Sequence, residues 1–173
     1  MDSLITIIPL SNDYSRPVAE LILPIQRNEF NVPITLTDQP DLLDLEAAYF
    51  DPGGHFWGAF AGEELAGTIG LLAPATGPPF GVIRKMFVKK EYRGAPWRIA
   101  QQLLTTLIAY SRDSGMEDLY LGTISRMHAA HRFYERNGFI RLEKENLPPA
   151  FPRMAVDDVF YHLPLLSSKP AEL

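Results

Sequence analysis

The chain has 173 residues, of which 46% are hydrophobic and 21% are charged, and its formal net charge is −5 at pH 7. These values are typical of one folded domain and argue against a generally basic nucleic-acid-binding protein. The absence of cysteine excludes disulfides, zinc–thiolate sites and cysteine nucleophiles.

The sequence carries no pattern for membrane insertion or secretion. No apolar run approaches the roughly 18 residues that a membrane-spanning helix needs. The first residues lack a basic lead, and Pro9 and Asn12 interrupt the first apolar stretch. We therefore expect a cytoplasmic protein with no membrane partner, a single domain over residues 1–166 and a frayed tail over 167–173.

The first predicted elements are a strand and a helix. Residues 4–10 are rich in Ile and Leu and are predicted to form the first strand. A helix is predicted over residues 17–25 because Pro17 suits its first turn and apolar residues recur at helical spacing. Pro24 should end or kink this helix.

A second short helix and a hairpin are predicted next. The helix runs through 42–48, with Asp38 or Gln39 as the residue that caps it. Residues 55–61 and 65–72 alternate as two strands around a compact turn.

The C-terminal half alternates strands with helices. A strand at 82–88 leads to an amphipathic helix around 100–107, which Gly115 closes. A strand at 119–124 is followed by a helix at 126–137. The last predicted strands are 139–142 and 159–165. This alternation predicts one α/β domain with a mixed sheet.

A basic segment interrupts the acidic average. Six of the chain's 16 basic residues lie within 84–98, where Glu91 is the only acid. The segment runs from a strand through a loop with Gly94 into a helix, whose first amides have no partner inside the helix and can bind phosphate. It is not a mononucleotide P-loop, because the Gly-Lys-Ser/Thr ending is missing. The residues predict a phosphate-bearing ligand, and the alternative is a solvated basic face.

Two runs of sequence resemble the signatures of the GNAT superfamily of N-acetyltransferases. Residues 87–94 (FVKKEYRG) and 99–104 (IAQQLL) resemble its acetyl-CoA signature, and residues 121–123 (LGT) and 129–139 (AAHRFYERNGF) resemble its second signature. Both occur in the family's order. The resemblance implies a GNAT-like α/β fold with a mixed, mainly antiparallel sheet of six to seven strands, flanked by helices on both faces. No metal is predicted, because the four histidines are not spaced as a ligand cluster with carboxylates.

The resemblance also implies that acetyl-CoA lies between the strands at 82–88 and 119–124. The backbone of the first strand would pair with the pantetheine arm, as an added strand does at a sheet edge. The amides from Arg93 through Ala100 would hold the pyrophosphate. The implied cofactor-binding residues are Met86, Phe87, Val88, Arg93, Gly94, Ala95, Arg98, Ile99, Ala100 and His128.

The loop departs from the family's pattern by an insertion of two residues. The usual small positions then fall on Arg98 and Ala100. Pro96 has no amide, so one donor is lost. The guanidinium of Arg98 can compensate by contacting a phosphate directly.

Tyr134 is the catalytic residue that the resemblance implies, close to the sulfur of acetyl-CoA. A phenol with a pKa near roughly 10 can hydrogen-bond to a departing thiolate whose conjugate acid has a pKa near about 8.5. Taken alone, Tyr134 is equally one more packed aromatic. His128 stands where relatives carry an asparagine that contacts the pantetheine arm, or it is an exposed residue at a helix start. His131 is interpreted as a surface histidine.

The base that deprotonates the acceptor is not assigned. An amine with a pKa near about 10.4 is mostly protonated at neutral pH, so a group must accept its proton. Relatives often place a glutamate on the strand before the loop, but 82–88 contains no carboxylate. Glu29, Asp38 and His55 are candidates, each equally an ordinary cap or solvated side chain, and a chain of waters would also serve.

The acceptor is expected to be a primary amine of a small molecule or peptide. Its pocket should lie between residues 26–40, the hairpin tip near Gly62 and the loop at 143–158. The alternatives are a non-catalytic acyl-CoA-binding sensor or regulatory module, and a protein that binds another phosphate ligand. A homodimer through the strand at 159–165 is also a prediction, without a feature that requires it.

Overall fold

The computed structural model describes residues 4–74 and 79–165. The predicted tail at 167–173 lies outside the described residues. The α-helices in these ranges are α1 (Ser15–Pro24), α2 (Ile99–Asp113) and α3 (His128–Arg136). The strands are β1 (Ile5–Pro9), β2 (His55–Ala61), β3 (Glu64–Leu72), β4 (Phe80–Val88), β5 (Asp118–Thr123), β6 (Ile140–Leu142) and β7 (Val159–Pro164).

Within the described residues, the strands form one seven-stranded sheet in the order β1-β2-β3-β4-β5-β7-β6. Every neighbouring pair is antiparallel except β4 and β5, which are parallel. One face packs on α1 through Val18 and Ile22, and the other packs on α2 through Leu103 and Leu107. The predicted α/β fold is therefore confirmed. In the same ranges, no helix is both long and apolar enough to cross a membrane.

The two parallel strands part soon after they meet. Their pairing is limited to Phe80 with Asp118, Gly81 with Leu119 and Val82 with Tyr120. After Val82, the described residues of β4 continue along β3 alone, so one edge of the strand is left open. Both strands continue beyond this point without pairing with each other, so a gap opens between them.

A β-bulge lies just after the point of separation. Thr68 of β3 faces Phe87, whereas Gly70 faces Arg84, so β4 has one extra residue across this step. Lys85 takes up the irregularity with a positive φ of 55°. Its carbonyl oxygen accepts a hydrogen bond of 2.7 Å from the Thr68 hydroxyl. Because a bulge re-aims side chains, Lys85 is buried although the other basic residues of the segment 84–98 are not.

The predicted helix at 42–48 is broken into two pieces. A 3₁₀ turn occupies Pro40–Leu42, and a π-helical turn occupies Glu46–Phe50. Between them, Asp44 accepts a hydrogen bond of 3.0 Å from the Ala47 amide. This side chain satisfies a free amide at the start of the second turn, as an N-cap does, and separates it from the first.

Neither predicted cap of that helix has this role. Asp38 accepts hydrogen bonds from the amide and the hydroxyl of Thr35, which close a tight turn before the helix. Gln39 is buried and forms no side-chain cap bond. The first helix ends at Pro24 as predicted, and the chain then continues as a π-helical turn over Ile25–Glu29.

The C-terminal strand is internal to the sheet. Residues 160–162 of β7 pair with β5 on one side and with β6 on the other. The sheet therefore ends at β1 and β6 in the described part of the chain. A homodimer cannot form by adding a strand along 160–162, although the prediction of a dimer as such stays a prediction.

Candidate active site

A cleft opens where β4 and β5 part. The two predicted walls at 26–40 and 143–158 both contribute to it, and the hairpin tip at Gly62 does not. The side chains come from the turn after α1 and the loop behind it, from both strands, from α3 and from the loop before β7. They are Gln26, Val32, Ile34, Ile83, Arg84, Lys85, Met86, Phe87, Leu121, Thr123, Ile124, Met127, Ala130, Tyr134, Met154, Val156 and Asp157, together with the backbone of Gly122.

Tyr134 reaches the cleft because of helical spacing. It lies seven residues after Met127, the N-cap residue of α3, and four after Ala130, so all three share one helical face and line the cleft. The Tyr134 ring packs against Phe139 and Tyr161 with centroid distances of 5.4 and 6.0 Å. Its hydroxyl forms no hydrogen bond with any residue that the structure describes, and burial raises its pKa well above the ordinary value. Tyr134 is thus a neutral phenol with a free donor.

The start of α2 offers free amides. The Ile99, Ala100 and Gln101 amides form no hydrogen bond within the described residues. The Arg98 amide differs, because it already donates to the Gly94 carbonyl at 3.0 Å. Of the amides predicted to hold the pyrophosphate, that of Arg98 is therefore already engaged, and the unbonded amides at the helix start include Gln101, one residue beyond the predicted range.

Arg98 adopts a backbone conformation that glycine favours. Its φ and ψ are 54° and 40°, in the left-handed region, and it immediately precedes the first residue of α2. Gly94, earlier in the loop, also has a positive φ, of 76°. The Arg98 side chain is exposed. These features fit the alignment in which Arg98 occupies the glycine position of the signature.

Arg93, in contrast, is engaged by other protein groups. Its guanidinium forms a bidentate ion pair with Glu29, at 2.8 Å for Nη2 to Oε1, and also donates to the Val88 carbonyl at 2.8 Å. Its amide donates to the Lys90 carbonyl at 3.3 Å. Hydrogen bonding to Arg93 lowers the pKa of Glu29. In this structure Arg93 ties the loop to the turn after α1, and its role in binding phosphate stays a prediction.

Of the remaining predicted cofactor residues, Ala95 is exposed in the loop before α2 and does not line the cleft, and the others divide into two groups. Met86, Phe87 and Val88 follow the last pairing of β4 with β5, and the first two line the cleft. His128 is the exposed first residue of α3 and does not line the cleft. Its ring lies 6.0 Å from that of His131.

None of the three predicted base candidates lines the cleft. Glu29 is paired with a guanidinium, as described above, and Asp38 closes its turn. The His55 ring stacks on Trp57 with a centroid distance of 4.5 Å and contacts Tyr110 at 4.8 Å. Burial lowers the His55 pKa, so this histidine is an uncharged part of an aromatic cluster.

The sequence prediction missed Asp157, which does line the cleft. Its carboxylate rests on the backbone of Gly122, where a Cβ atom would come within 2.6 Å of Oδ2. Burial raises the Asp157 pKa to about 6, with Arg84 and Lys85 acting in the opposite direction. The residue belongs to the predicted wall at 143–158, but no motif singles it out there.

Lys85, which lines the cleft from β4, is also part of a buried polar network. The Lys85 ammonium donates to Gln39 Oε1 at 2.8 Å and lies 3.4 Å from Asp41 Oδ2. Gln39 and Gln26 exchange two hydrogen bonds of 2.9 Å, and the Tyr49 hydroxyl donates to Asp41 at 2.6 Å. Burial lowers the pKa of Lys85.

The family follows from a comparison of the whole chain with known proteins. The model of the acetyltransferase (GNAT) family matches residues 19–139. The chain belongs to this GNAT family. Both the family and the enzyme class predicted from the two signatures, that of an acetyltransferase, are therefore confirmed.

Other GNAT proteins agree with this assignment. The structure of a GNAT acetyltransferase from Staphylococcus aureus is 38% identical, with a TM-score of 0.88, and the match covers 94% of this chain and 99% of the other. The N-acetyltransferase 8B of Rattus norvegicus is 34% identical over 57% of this chain and 46% of its own length. The chain thus spans about half the length of the curated relatives that it matches. The PaiA N-acetyltransferase of Thermoplasma acidophilum, solved in complex with coenzyme A, shares the fold, with a TM-score of 0.72 and 17% identity over 93% of this chain and 99% of the other.

Proposed function

We propose that this GNAT protein transfers the acetyl group of acetyl-CoA to a primary amine of a small molecule or peptide. The observation that carries the proposal is the cleft between the parted strands β4 and β5, lined by a tyrosine whose hydroxyl is free. This cleft joins an open strand edge to a site where an acceptor can reach a bound thioester.

The chain's own groups fit acetyl-CoA. The free amides at the start of α2 and the adjacent exposed Arg98 suit a pyrophosphate. The open edge of β4 at Met86 and Phe87 suits the amide groups of a pantetheine arm. A protein of the same fold binds coenzyme A, which supports the same ligand class here. When bound, acetyl-CoA supplies a thioester carbonyl carbon that an amine can attack.

Tyr134 stabilises the leaving thiolate in this proposal. Since burial raises its pKa, the phenol stays protonated and acts by donating a hydrogen bond to the sulfur, not by giving up its proton. Its ring is packed by Phe139 and Tyr161, so the hydroxyl is held in place before the charge develops. Preorganised donors of this kind stabilise a transition state without the cost of reorientation.

The experiment combines binding and turnover. A thermal-shift titration with coenzyme A tests binding, and labelled acetyl-CoA tests transfer to benzylamine, spermidine, L-lysine and a tetrapeptide with a free N-terminus. Tyr134→Phe should keep the shift induced by coenzyme A and lower transfer about 100-fold. Tyr161→Phe is the matched control, because the Tyr161 hydroxyl bonds Glu135 and does not line the cleft.

Three outcomes contradict the proposal. Millimolar coenzyme A that leaves the melting temperature unchanged would remove the cofactor. Binding without acetylation of any amine would favour the acyl-CoA sensor. Full transfer by Tyr134→Phe would remove Tyr134 from the mechanism. A cytoplasmic location belongs to the same proposal and is compatible with a chain that has no cysteine.

A further inference from the structure

We propose that Asp157 is the general base that accepts a proton from the ammonium group of the acceptor. This inference rests on the proposed function, since it assigns the group that makes the amine nucleophilic. Asp157 and Tyr134 line the same cleft, one from the loop before β7 and the other from α3. Among the described residues that line it, Asp157 is the only carboxylate, and none is a histidine.

The position of the Asp157 carboxylate depends on Gly122. A Cβ atom at that position would lie 2.6 Å from Asp157 Oδ2 and 3.1 Å from Cγ. Only a glycine lets the carboxylate lie so close to β5, at the point where that strand has parted from β4. The carboxylate accepts no hydrogen bond from the described residues, so its lone pairs are available to the ammonium group of the substrate.

The charges around Asp157 leave it able to exchange a proton. Arg84 and Lys85 face it from β4, but neither forms an ion pair with it. Arg84 donates to the Pro152 carbonyl at 2.9 Å, and Lys85 is held by its own buried partners. Asp158 adds a like charge from the same loop. A surface depression beside Asp157 carries the further charged groups Arg141, Glu143, Lys144 and Glu145.

Burial outweighs the neighbouring cations and raises the Asp157 pKa to about 6. The group is therefore ionised at neutral pH, and its pKa is closer to the working pH than that of an ordinary carboxylate. A base with this pKa is mostly in its ionised form at neutral pH and is a stronger proton acceptor than an ordinary carboxylate.

The proton balance is as follows. Asp157 takes one proton from the ammonium, and the nitrogen lone pair forms a bond to the acetyl carbon. The carbon–sulfur bond breaks, and its electron pair leaves with the sulfur, which hydrogen-bonds to Tyr134. The sulfur then takes the second proton that the nitrogen loses, and Asp157 returns its own proton to water.

The test compares Asp157→Asn with Asp158→Asn, using the panel amine that the wild type acetylates fastest. Asp158 is an exposed neighbour whose Oδ1 accepts the Ser125 amide, a bond that asparagine keeps. Wild-type kcat/KM should fall as the pH drops through about 6. At pH 7, Asp157→Asn should be slower by about 100-fold or more. Its rate should then rise roughly tenfold per pH unit towards the amine pKa, because only the free amine reacts.

Melting temperature is the readout besides activity. Because the folded-state pKa of Asp157 is raised above its unfolded value, the ionised carboxylate destabilises the folded protein above about pH 6. Asp157→Asn should therefore melt a few degrees higher than the wild type at pH 8 and not at pH 4, with the coenzyme A shift unchanged. A merely structural role would lower the melting temperature and give no recovery of rate at high pH.

The outcomes separate this inference from the proposed function. A wild type that acetylates no amine overturns both. A wild type that does so, with Asp157→Asn equally fast at pH 7, overturns the base and leaves the transferase. Asp157→Glu keeps a carboxylate displaced by one methylene. It should therefore regain part of the rate and again show kcat/KM falling as the pH drops through about 6. If kcat/KM of Asp157→Glu does not fall in this pH range, that result also counts against Asp157 as the base.

Discussion

The buried pair between Lys85 and Asp41 allows a sharp test of the wall of the cleft. The Lys85 ammonium lies 3.4 Å from Asp41 Oδ2, and the two side chains are 5% and 17% exposed. Asp41→Asn removes the negative charge and keeps an oxygen that can accept from the Tyr49 hydroxyl. The substitution therefore isolates what the carboxylate does for the buried cation.

The expected loss is about 3 kcal/mol of unfolding free energy at pH 7. Removing one partner of a buried ion pair costs about 3–5 kcal/mol, and the lower end applies because Gln39 still accepts from Lys85. The cost has a ceiling of about 5 kcal/mol, since Lys85 can instead lose its proton from an unfolded-state pKa near roughly 10.4. In a chain of 173 residues this loss lowers the melting temperature by roughly 6–12 °C.

Urea unfolding followed by tryptophan fluorescence measures the effect. Lys85→Met is the control, because it removes the cation and leaves Asp41 bonded to Tyr49. It should cost at most about 1 kcal/mol, and Lys85→Met combined with Asp41→Asn should restore most of the stability. A value for Asp41→Asn within about 0.5 kcal/mol of the wild type would refute the importance of the pair.

The same variant has a predicted pH dependence. Burial lowers the Lys85 pKa, and loss of Asp41 lowers it further, so the unfolded state binds more protons than the folded state. Stability then rises with pH, and the deficit of Asp41→Asn should shrink between pH 7 and 10. A deficit that is equal at both ends of this range would mean that the lysine charge is not its cause.

Two further predictions concern the loop before α2. Glu29→Gln breaks an exposed pair with Arg93 that lowers the Glu29 pKa, so it should cost less than about 1 kcal/mol at pH 7. Because the folded-state pKa is the lower one, this cost should shrink as the pH falls through that pKa, and urea unfolding over a series of acidic pH values checks this. Arg98→Gly should be more stable than Arg98→Ala by about 1 kcal/mol, because only glycine adopts a φ of 54° without strain. If the Arg98 guanidinium contacts phosphate, calorimetry should find that both variants bind coenzyme A more weakly than the wild type, and by the same factor.

Local sequence patterns were sufficient for the strands and the main helices. Val82 to Val88 reads as a strand because its apolar and polar residues suit a sheet, and the free start of α2 follows from a basic loop next to a helical pattern. Tyr134 came from the resemblance of a short run of sequence to the second signature, and in the structure its helical spacing from Met127 and Ala130 gives all three the same face. These features depend on residues a few positions apart.

Lys85 and Asp157 could not be predicted in the same way. Lys85 belongs to a basic segment that predicts a phosphate ligand or, as the alternative, a solvated face, and neither interpretation places it in the interior, where a bulge directs it. Asp157 comes from a loop, and its position depends on contact with Gly122 across the fold. Neither the extra residue of a bulge nor the path of a long loop has a signature in local periodicity.

The bulge and the cleft have a common origin in β4. An extra residue bends a strand and increases its twist, and here it follows the last pair of β4 with β5, at Val82, by only a few residues. The bend favours the separation of the two strands, which leaves the β4 edge open beyond Val82. It also gives Asp157 and Tyr134 a common space between the strands. The buried ammonium of Lys85 is the cost of that geometry, and Asp41 with Gln39 offsets it. The stability of the β4 wall and the shape of the cleft therefore depend on the same irregular residue, Lys85.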